Sequence, residues 1–246
     1  MRCETVFFET YHKAPDDVAF CPYRVCPIGA HIDHQFGKIT GFAIDKGIHM
    51  AYHVKQNGVV ELSSLNFEKR AQWHVNDVPD RQGDWADYLR GATRALGERY
   101  ALRKGLAGVI EGTLPIGGLS SSAAVILVFL QALCAVNGLE LSTVELIDVA
   151  QQAETDYVGV SVGRLDQSCE IYGRKDCLLY LDTRSGEFQR IPAPENMPPW
   201  EIAVFFSGVE RTLVGSKFNM RVDELKSAAY ALKGYALDDG REGELE

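Results

Sequence analysis

A polar glycine-serine loop runs directly into a long apolar segment in "LPIGGLSSSAAVILVFLQALCAV", residues 114–136. From Ala123 onward only Gln131 interrupts the apolar residues. The segment therefore predicts a buried helix, since it is too short to span a bilayer. The N-terminus of such a helix presents unpaired backbone N–H groups and a positive dipole end. The junction predicts either a phosphate-binding site or a plain serine cap on a core helix.

Length and charge narrow the class of protein. The chain has 246 residues, 46% of them hydrophobic, enough for one large domain or one and a half. A net charge of −9 argues against a nucleic-acid binder, which needs clustered Lys and Arg. The chain opens without a basic leader, and its six cysteines form no CxxC pair. We therefore expect a cytoplasmic protein with reduced thiols and no membrane contact.

Local patterns predict a mixture of strands and helices. Short strands broken at Pro22, Pro27, Gly37 and Gly41 are expected between residues 17 and 53, and others at "GVVELSS", "CLLYLD" and "IAVFFS". A helix with an apolar stripe follows Asp84, which we interpret as its cap. A second helix begins at a capping box that pairs Ser142 with Glu145. These patterns predict that the chain contains both strands and helices.

The loop itself is suited to an anion. Glycine lets the backbone approach a ligand closely, and serine hydroxyls add donors or a magnesium ligand. The segment is neither a Walker A loop nor GxGxxG. It resembles the phosphate loop of the GHMP kinases, Pro-x-Gly-x-Gly-Leu-Ser-Ser-Ser-Ala, although one residue is missing before Leu119. The resemblance implies that ATP is bound by Pro115, Gly117, Gly118, Leu119, Ser120, Ser121 and Ser122.

A second motif, "YRVCPIGAHIDHQFGKITGFAID" from Tyr23, resembles the galactokinase signature Gly-Arg-Val-Asn-Leu-Ile-Gly-Glu-His-Thr-Asp-Tyr. The match implies that His31 and Asp33 bind a sugar. By themselves these two residues are ordinary turn residues.

One position of this motif departs from the family. The signature Glu, which helps the family to bind the hydroxyl on carbon 6 of galactose, is Ala30 here. Alanine tolerates a carboxylate at that carbon, whereas Glu repels it. The stretch "CPIGAHIDHQFG" is still more similar to galacturonokinases, and so is the region around Phe218. Phe218 stands at the position where many galactokinases have a sugar-binding Tyr. We therefore favour D-galacturonate over D-galactose, with drift within a galactokinase as the alternative.

A third motif, "QQAETDYVGVSVGRLDQSCEIYG" from Gln151, is similar to the galactokinase stretch Ala-Glu-His-x-x-x-Gly-x-x-x-Gly-Ile-Met-Asp-Gln. The resemblance implies that Asp166 is the catalytic base, with Arg24 orienting its carboxylate. It also implies that Gly163 lines the sugar, and that Glu154 binds Mg²⁺ with Ser121 or Ser122. Taken alone, Glu154 would be a solvated helix residue and Asp166 a helix cap.

The resemblance implies an α+β fold, the two-domain GHMP kinase fold. Residues 1–195 are expected to form an N-terminal domain with a left-handed crossover, similar to a domain of a ribosomal protein, that holds the sugar and ATP sites. Prolines near residues 191–200 predict a passage to residues 196–246, the start of an incomplete ferredoxin-like domain. The family's C-terminal Gly-Ala-Gly-x-Gly-Gly loop is absent, so we interpret the chain as a fragment or an early-terminated product.

The predicted ligands are therefore a small sugar and Mg-ATP, with phosphate transfer to the anomeric hydroxyl. A non-catalytic sugar sensor of the same family is the alternative, although the intact run from Ser120 to Ala124 and the presence of Asp166 favour an enzyme. A mevalonate or homoserine kinase fits poorly, because His31 and Asp33 belong to the sugar branch. The sequence leaves the oligomeric state, the anomer and the nucleotide preference open.

Overall fold

The computed structural model describes residues 1–115, 118–205, 208 and 217–238. By internal contacts the chain divides into two units, Met1–Glu210 and Arg211–Glu246. The second unit contributes one described helix, α6 (Phe218–Asp238). The boundary after residue 195 and the ferredoxin-like layer stay predictions. Gly117 of the predicted phosphate loop lies outside the described residues.

The first unit combines one mixed sheet with five α-helices. The helices are α1 (Arg2–Tyr11), α2 (Asp87–Gly97), α3 (Ser121–Asn137), α4 (Thr143–Gln152) and α5 (Leu165–Tyr172). The strands are β1 (Asp17–Val25), β2 (Lys38–Lys55), β3 (Val59–Ser64), β4 (Ala71–His74), β5 (Gly105–Gly112), β6 (Cys177–Asp182) and β7 (Phe188–Pro192). The sheet order is β4-β3-β5-β2-β6-β7, with β1 paired to β2. All pairs are antiparallel except β3 with β5. The predicted α+β class is confirmed.

The long strand β2 corrects part of the strand prediction. The expected breaks at Pro27 and Gly37 lie between β1 and β2, but those at Pro22 and Gly41 are wrong, because both strands continue through them. Pro22 is accommodated where the register with β2 shifts, a position that tolerates a residue without N–H. Gly41 lies inside β2 and does not break it. Glycine is needed at this position because a Cβ would overlap Cys169 Sγ.

Helix α3 is the buried helix that the apolar segment predicts. Leu127, Phe129 and Leu130 are completely buried, and Phe129 lies near Trp73 across the core. The helix ends at Gly138, whose positive φ of 66° provides the left-handed C-cap that glycine adopts readily. With 17 residues it is apolar but short, and no described helix qualifies as a membrane span.

The helix starts are confirmed in one case and corrected in another. Ser142 and Glu145 form the predicted capping box at the start of α4. Asp84 is not the cap of α2, which begins three residues later, after Ala86. Its carboxylate instead accepts hydrogen bonds from the Ala86 N–H and the Arg90 guanidinium. The predicted strand "IAVFFS" is also wrong where the structure describes it, because residues 202–205 are irregular.

A π-helical turn, Ala153–Val158, continues the chain directly from α4. Two arginines from other segments contact its C-terminal end. Arg81 donates a 2.6 Å hydrogen bond to the Val158 carbonyl, and the Arg94 guanidinium lies over the Tyr157 ring. The turn closes at Gly159 with φ of 81°. Single π turns inside helices are rare and frequently occur at functional sites. This one carries Glu154.

Candidate active site

Arg24, near the end of β1, connects the predicted base with the predicted phosphate loop. Its Nε and Nη2 atoms lie 2.8 and 2.7 Å from Asp166 Oδ1, and Nη1 donates a 2.9 Å bond to the Gly118 carbonyl. The Arg24 backbone N–H also donates to the Leu119 carbonyl at 3.3 Å. Both contacts to Asp166 end on Oδ1, and Oδ2 accepts no hydrogen bond from the described residues. One oxygen of the carboxylate is therefore fixed while the other stays available.

The described part of the phosphate loop leads into α3. Ser120 is the N-cap residue, but its φ of 65° is left-handed and its side chain makes no capping bond. Ser121 and Ser122, in the first turn of α3, are partly exposed, and the more distant Pro115 is exposed. An uncapped helix N-terminus next to partly exposed serines is a suitable place for an anion.

Glu154 is 1% exposed, and Gln167 donates a 2.8 Å bond to its Oε2. Its Oε1 is buried and has no hydrogen-bond partner among the described residues. Burial raises the pKa of this carboxyl to about 8, and Asp166 raises it further, whereas the Ser122 hydroxyl and Arg24 oppose the shift. Burial therefore disfavours the ionised form of this carboxyl.

This orphaned oxygen beside a serine hydroxyl fits a magnesium ligand set. Mg²⁺ is usually held by one or two carboxylates, with waters and substrate phosphates completing its shell. The described residues contain no group of three or more His, Cys, Asp or Glu arranged around a metal. A site built from Glu154, Ser121 and Ser122 would therefore depend on a phosphate ligand.

The sugar motif folds into a tight turn before β2. Gly29 has φ of 100°, and a Cβ there would lie 2.9 Å from both Ile39 Cα and the Lys38 carbonyl, so the turn requires glycine. Asp33 Oδ2 accepts a 3.2 Å bond from the Leu165 N–H at the start of α5. A Cβ on Gly163 would overlap that oxygen. The turn is thus attached to the helix that carries Asp166.

The predicted sugar-site residues differ in their exposure. Asp33 and Gly163 adjoin the start of α5, whereas Ala30 and His31 are exposed on the turn. His31 has a positive φ of 67°. Phe218 begins α6 in the second unit, so its predicted sugar contact stays a prediction.

Two buried polar residues of α5 escaped the sequence reasoning. Gln167 donates a hydrogen bond to Glu154, and Glu170, four residues after Asp166, is 5% exposed. Their residue types carry no sequence signal of burial, although residues 167–170 are all buried in the structure. A short helix with four successive buried residues must lie between other elements, which local periodicity does not reveal.

Comparison with known proteins places these features in a family. Residues 87–174 match the family model "GHMP kinases N terminal domain". The chain is 34% identical over 236 residues to a galacturonokinase of Arabidopsis thaliana, with 87% of this chain and 56% of the relative covered. It is 33% identical over 214 residues to a galactokinase of Thermococcus kodakarensis, with 87% and 59% covered.

A solved structure gives the same result for the fold. The crystal structure of Lactococcus lactis galactokinase complexed with galactose matches with a TM-score of 0.82 and 27% identity, covering 94% of this chain and 61% of that one. This chain spans 56% to 59% of the length of the two curated relatives. The matched family region runs from α2 through α5 and includes the serine loop, Glu154 and Asp166. Residues 87–174 therefore belong to the GHMP kinase family as its N-terminal domain, and galactokinases and a galacturonokinase are relatives of the chain.

Proposed function

We propose that the protein is an ATP-dependent sugar 1-kinase that transfers the γ-phosphate of Mg-ATP to the anomeric hydroxyl of a galactose-type sugar, with D-galacturonate favoured over D-galactose. The observation that carries this proposal is the double contact of Arg24. One guanidinium binds both the Asp166 carboxylate and the Gly118 carbonyl of the loop. A base and a phosphate loop must be adjacent for in-line transfer, because the hydroxyl has to meet the γ-phosphate.

The proton step uses the free oxygen of Asp166. The sugar hydroxyl oxygen bonds to the γ-phosphorus, the bond to the ADP oxygen breaks, and the hydroxyl proton passes to Asp166 Oδ2. Arg24 orients the carboxylate through its contacts to Oδ1. Asp33 and Gly163 would position the sugar at the start of α5, where Asp33 accepts the Leu165 N–H and Gly163 lies directly against the Asp33 carboxylate.

The nucleotide would bind at the loop and the N-terminus of α3. The amides of the glycine-serine loop, from Gly117 to Ser122 with Pro115 before them, would surround the phosphates. Ser121, Ser122 and Glu154 would hold Mg²⁺, which when bound neutralises charge on the phosphates. The orphaned Oε1 of Glu154 supports this assignment.

The sugar preference depends on Ala30. This residue is exposed on the turn that carries Asp33, and it stands where the galactokinase signature has Glu. A galacturonate carboxylate near a Glu carboxylate would be repelled, whereas alanine adds no charge. The two curated relatives do not separate the alternatives, since a galacturonokinase and a galactokinase are about equally identical to this chain, at 34% and 33%.

The activity is tested by incubating the purified chain with Mg-ATP and either sugar while ADP release is measured. We expect turnover with galacturonate to exceed turnover with galactose. Asp166→Asn should keep sugar and nucleotide binding but lose most of the turnover, because the amide cannot accept the proton. Near-normal turnover by this variant would show that Asp166 is not the base.

The preference is tested separately with Ala30→Glu and its uncharged control Ala30→Gln. Both variants add similar volume, so a difference between them reports charge alone. We expect the galactose-to-galacturonate ratio of kcat/KM to rise at least tenfold more in Ala30→Glu than in Ala30→Gln. An equal effect of the two substitutions would contradict the role of Ala30 while leaving the kinase activity intact.

A sugar sensor is the second candidate. It would bind sugar and nucleotide at the same turn and loop, but it would not phosphorylate the sugar. Galactose or galacturonate would then raise the melting temperature together with Mg-ATP, and no ADP would form. Measurable phosphorylation of either sugar, lost in Asp166→Asn, excludes this candidate.

A further inference from the structure

Glu170 is a buried carboxylic acid to which the proposed reaction gives no role. It lies on α5, four residues after Asp166, and is 5% exposed. Burial raises its pKa well above the ordinary value, Asp166 and Glu154 raise it further, and Arg24 opposes them. Cys21 Sγ lies 3.9 Å from Oε2, while Oε1 has no hydrogen-bond partner among the described residues. Such a group is unfavourable unless it performs a task.

The neighbour of Glu170 is the serine that begins α3. The Ser120 hydroxyl is close enough to the carboxyl to lower its pKa. Its Oγ is buried and, within the described part of the chain, has no hydrogen bond of normal geometry. The hydroxyl therefore lies beside the Glu170 carboxyl and does not cap the first turn of its own helix.

This orientation is unusual for a serine at an N-cap. The residue at this position normally has an extended backbone, and its side-chain oxygen accepts the N–H of the second or third helical residue. Ser120 instead has φ of 65° and ψ of 40° and makes no such bond. A left-handed conformation is unfavourable for serine, so contacts from outside the helix must maintain it. Arg24 holds the two preceding residues through their carbonyls, and Glu170 faces the side chain.

We propose that Glu170 is a positioning residue for the phosphate loop: it draws the Ser120 hydroxyl toward α5, so that this hydroxyl does not cap α3 and the first amides of α3 stay free for the phosphates. The role rests on the proposed function, since it requires a nucleotide at this loop. Without Glu170, Ser120 relaxes to an ordinary cap and occupies the amide of Ser122 or Ala123. Helix α3 is then better capped, and fewer of its backbone amides are left to bind an anion.

The variants Glu170→Ala and Glu170→Gln test this role by titration of the full chain with Mg-ATP. We expect Glu170→Ala to weaken Mg-ATP binding at least fivefold while the sugar affinity changes less than twofold. Glu170→Gln, which keeps a polar partner for Ser120, should stay within twofold of wild type. Simple electrostatics predicts the opposite sign, because removing an acid near the phosphates should tighten their binding.

Two further measurements separate positioning from general packing. In Glu170→Ala, amide hydrogen exchange at Ser122 or Ala123 should slow, because the relaxed Ser120 now accepts one of these N–H groups. Adding Ser120→Ala to Glu170→Ala should bring Mg-ATP affinity back to within twofold of Ser120→Ala alone, since no hydroxyl is left to compete. Ser168→Ala, a buried polar change on the same helix, is the matched control and should leave Mg-ATP affinity within twofold.

The outcomes are distinguishable from failure of the kinase proposal. If wild type binds no Mg-ATP, the proposed function fails and this role fails with it. If wild type binds Mg-ATP and Glu170→Ala binds it equally well, only the role of Glu170 is overturned. If both Glu170 variants lose nucleotide and sugar binding together with thermal stability, Glu170 is a packing residue and the proposal is also overturned.

Discussion

Arg24→Ala should destabilise the protein more than the loss of an ordinary surface ion pair. The side chains of Arg24 and Asp166 are only 14% and 24% exposed. The substitution removes two charge-assisted contacts to Asp166 and one bond to the Gly118 carbonyl. It also leaves the Asp166 carboxylate largely buried without a cation.

The magnitude follows from these contacts. A hydrogen bond to a charged group contributes about 1.5–3 kcal/mol, but the two that end on one oxygen do not add fully. Partial exposure of Asp166 screens the charge that is left behind. Together these give a loss of about 2–4 kcal/mol, below the upper end for a fully buried pair. For a chain of this size, that loss lowers the melting temperature by about 5–15 °C.

The assay is thermal unfolding without ligand, so the result does not depend on any activity. The matched control is Arg164→Ala, which breaks the ion pair with Asp148, where the side chains are 41% and 30% exposed. We expect the control to lose at most about 1 kcal/mol. Arg24→Lys should be intermediate, since it keeps the charge but not the planar fork. A melting temperature of Arg24→Ala equal to that of Arg164→Ala would refute the reasoning.

Three further predictions concern other parts of the molecule. Gly163→Ala should lose about 1–3 kcal/mol in urea unfolding, together with any stabilisation by sugar, because its Cβ would displace Asp33; unchanged sugar stabilisation would contradict this. The pKa of Glu154 is raised to about 8 from 4.5, so its contribution to stability is fully present below the lower value and is lost as pH rises through the higher one. The melting temperature of Glu154→Gln, measured without cation from pH 5 to 9, should therefore rise relative to wild type as pH increases; a constant difference would argue against the shift. Phe7→Ala should lose about 3–5 kcal/mol, since Phe7 is fully buried between α1 and the sheet, whereas Phe8→Ala at a 57% exposed position should change stability by less than about 0.5 kcal/mol.

The sequence predicted those elements whose signals are local. The capping box at Ser142 and the apolar run of α3 depend on neighbouring residues, and both are confirmed. Asp84 failed as a cap because Arg90 and the Ala86 N–H take its carboxylate. Gly41 failed as a strand break because Cys169 packs against it from α5. For Gly41 the deciding partner is a tertiary contact that overrides local preference, whereas Asp84 is held by residues only two and six positions further along the chain.

The candidate site divides in the same way. The motifs identified Arg24 and Asp166 separately, but their contact joins residues 142 positions apart. The unusual backbone of Ser120 and the burial of Glu170 also depend on how α3, α5 and β1 pack together. Residue types and spacing can therefore nominate the groups, whereas the direction in which each side chain acts requires the fold.

Within the π-helical turn, Ala153–Val158, a change in the number of residues should disturb the structure more than a change of residue type. Each residue of a helix turns the chain by about 100°. Deleting one residue from Ala153–Val158 would convert the turn to regular α-helix and rotate everything after it relative to α4. Gln167 would then no longer meet Glu154, although every side chain involved would still be present. Single-residue deletions in this segment should therefore be tolerated far less well than substitutions at its two exposed positions, Thr155 and Asp156.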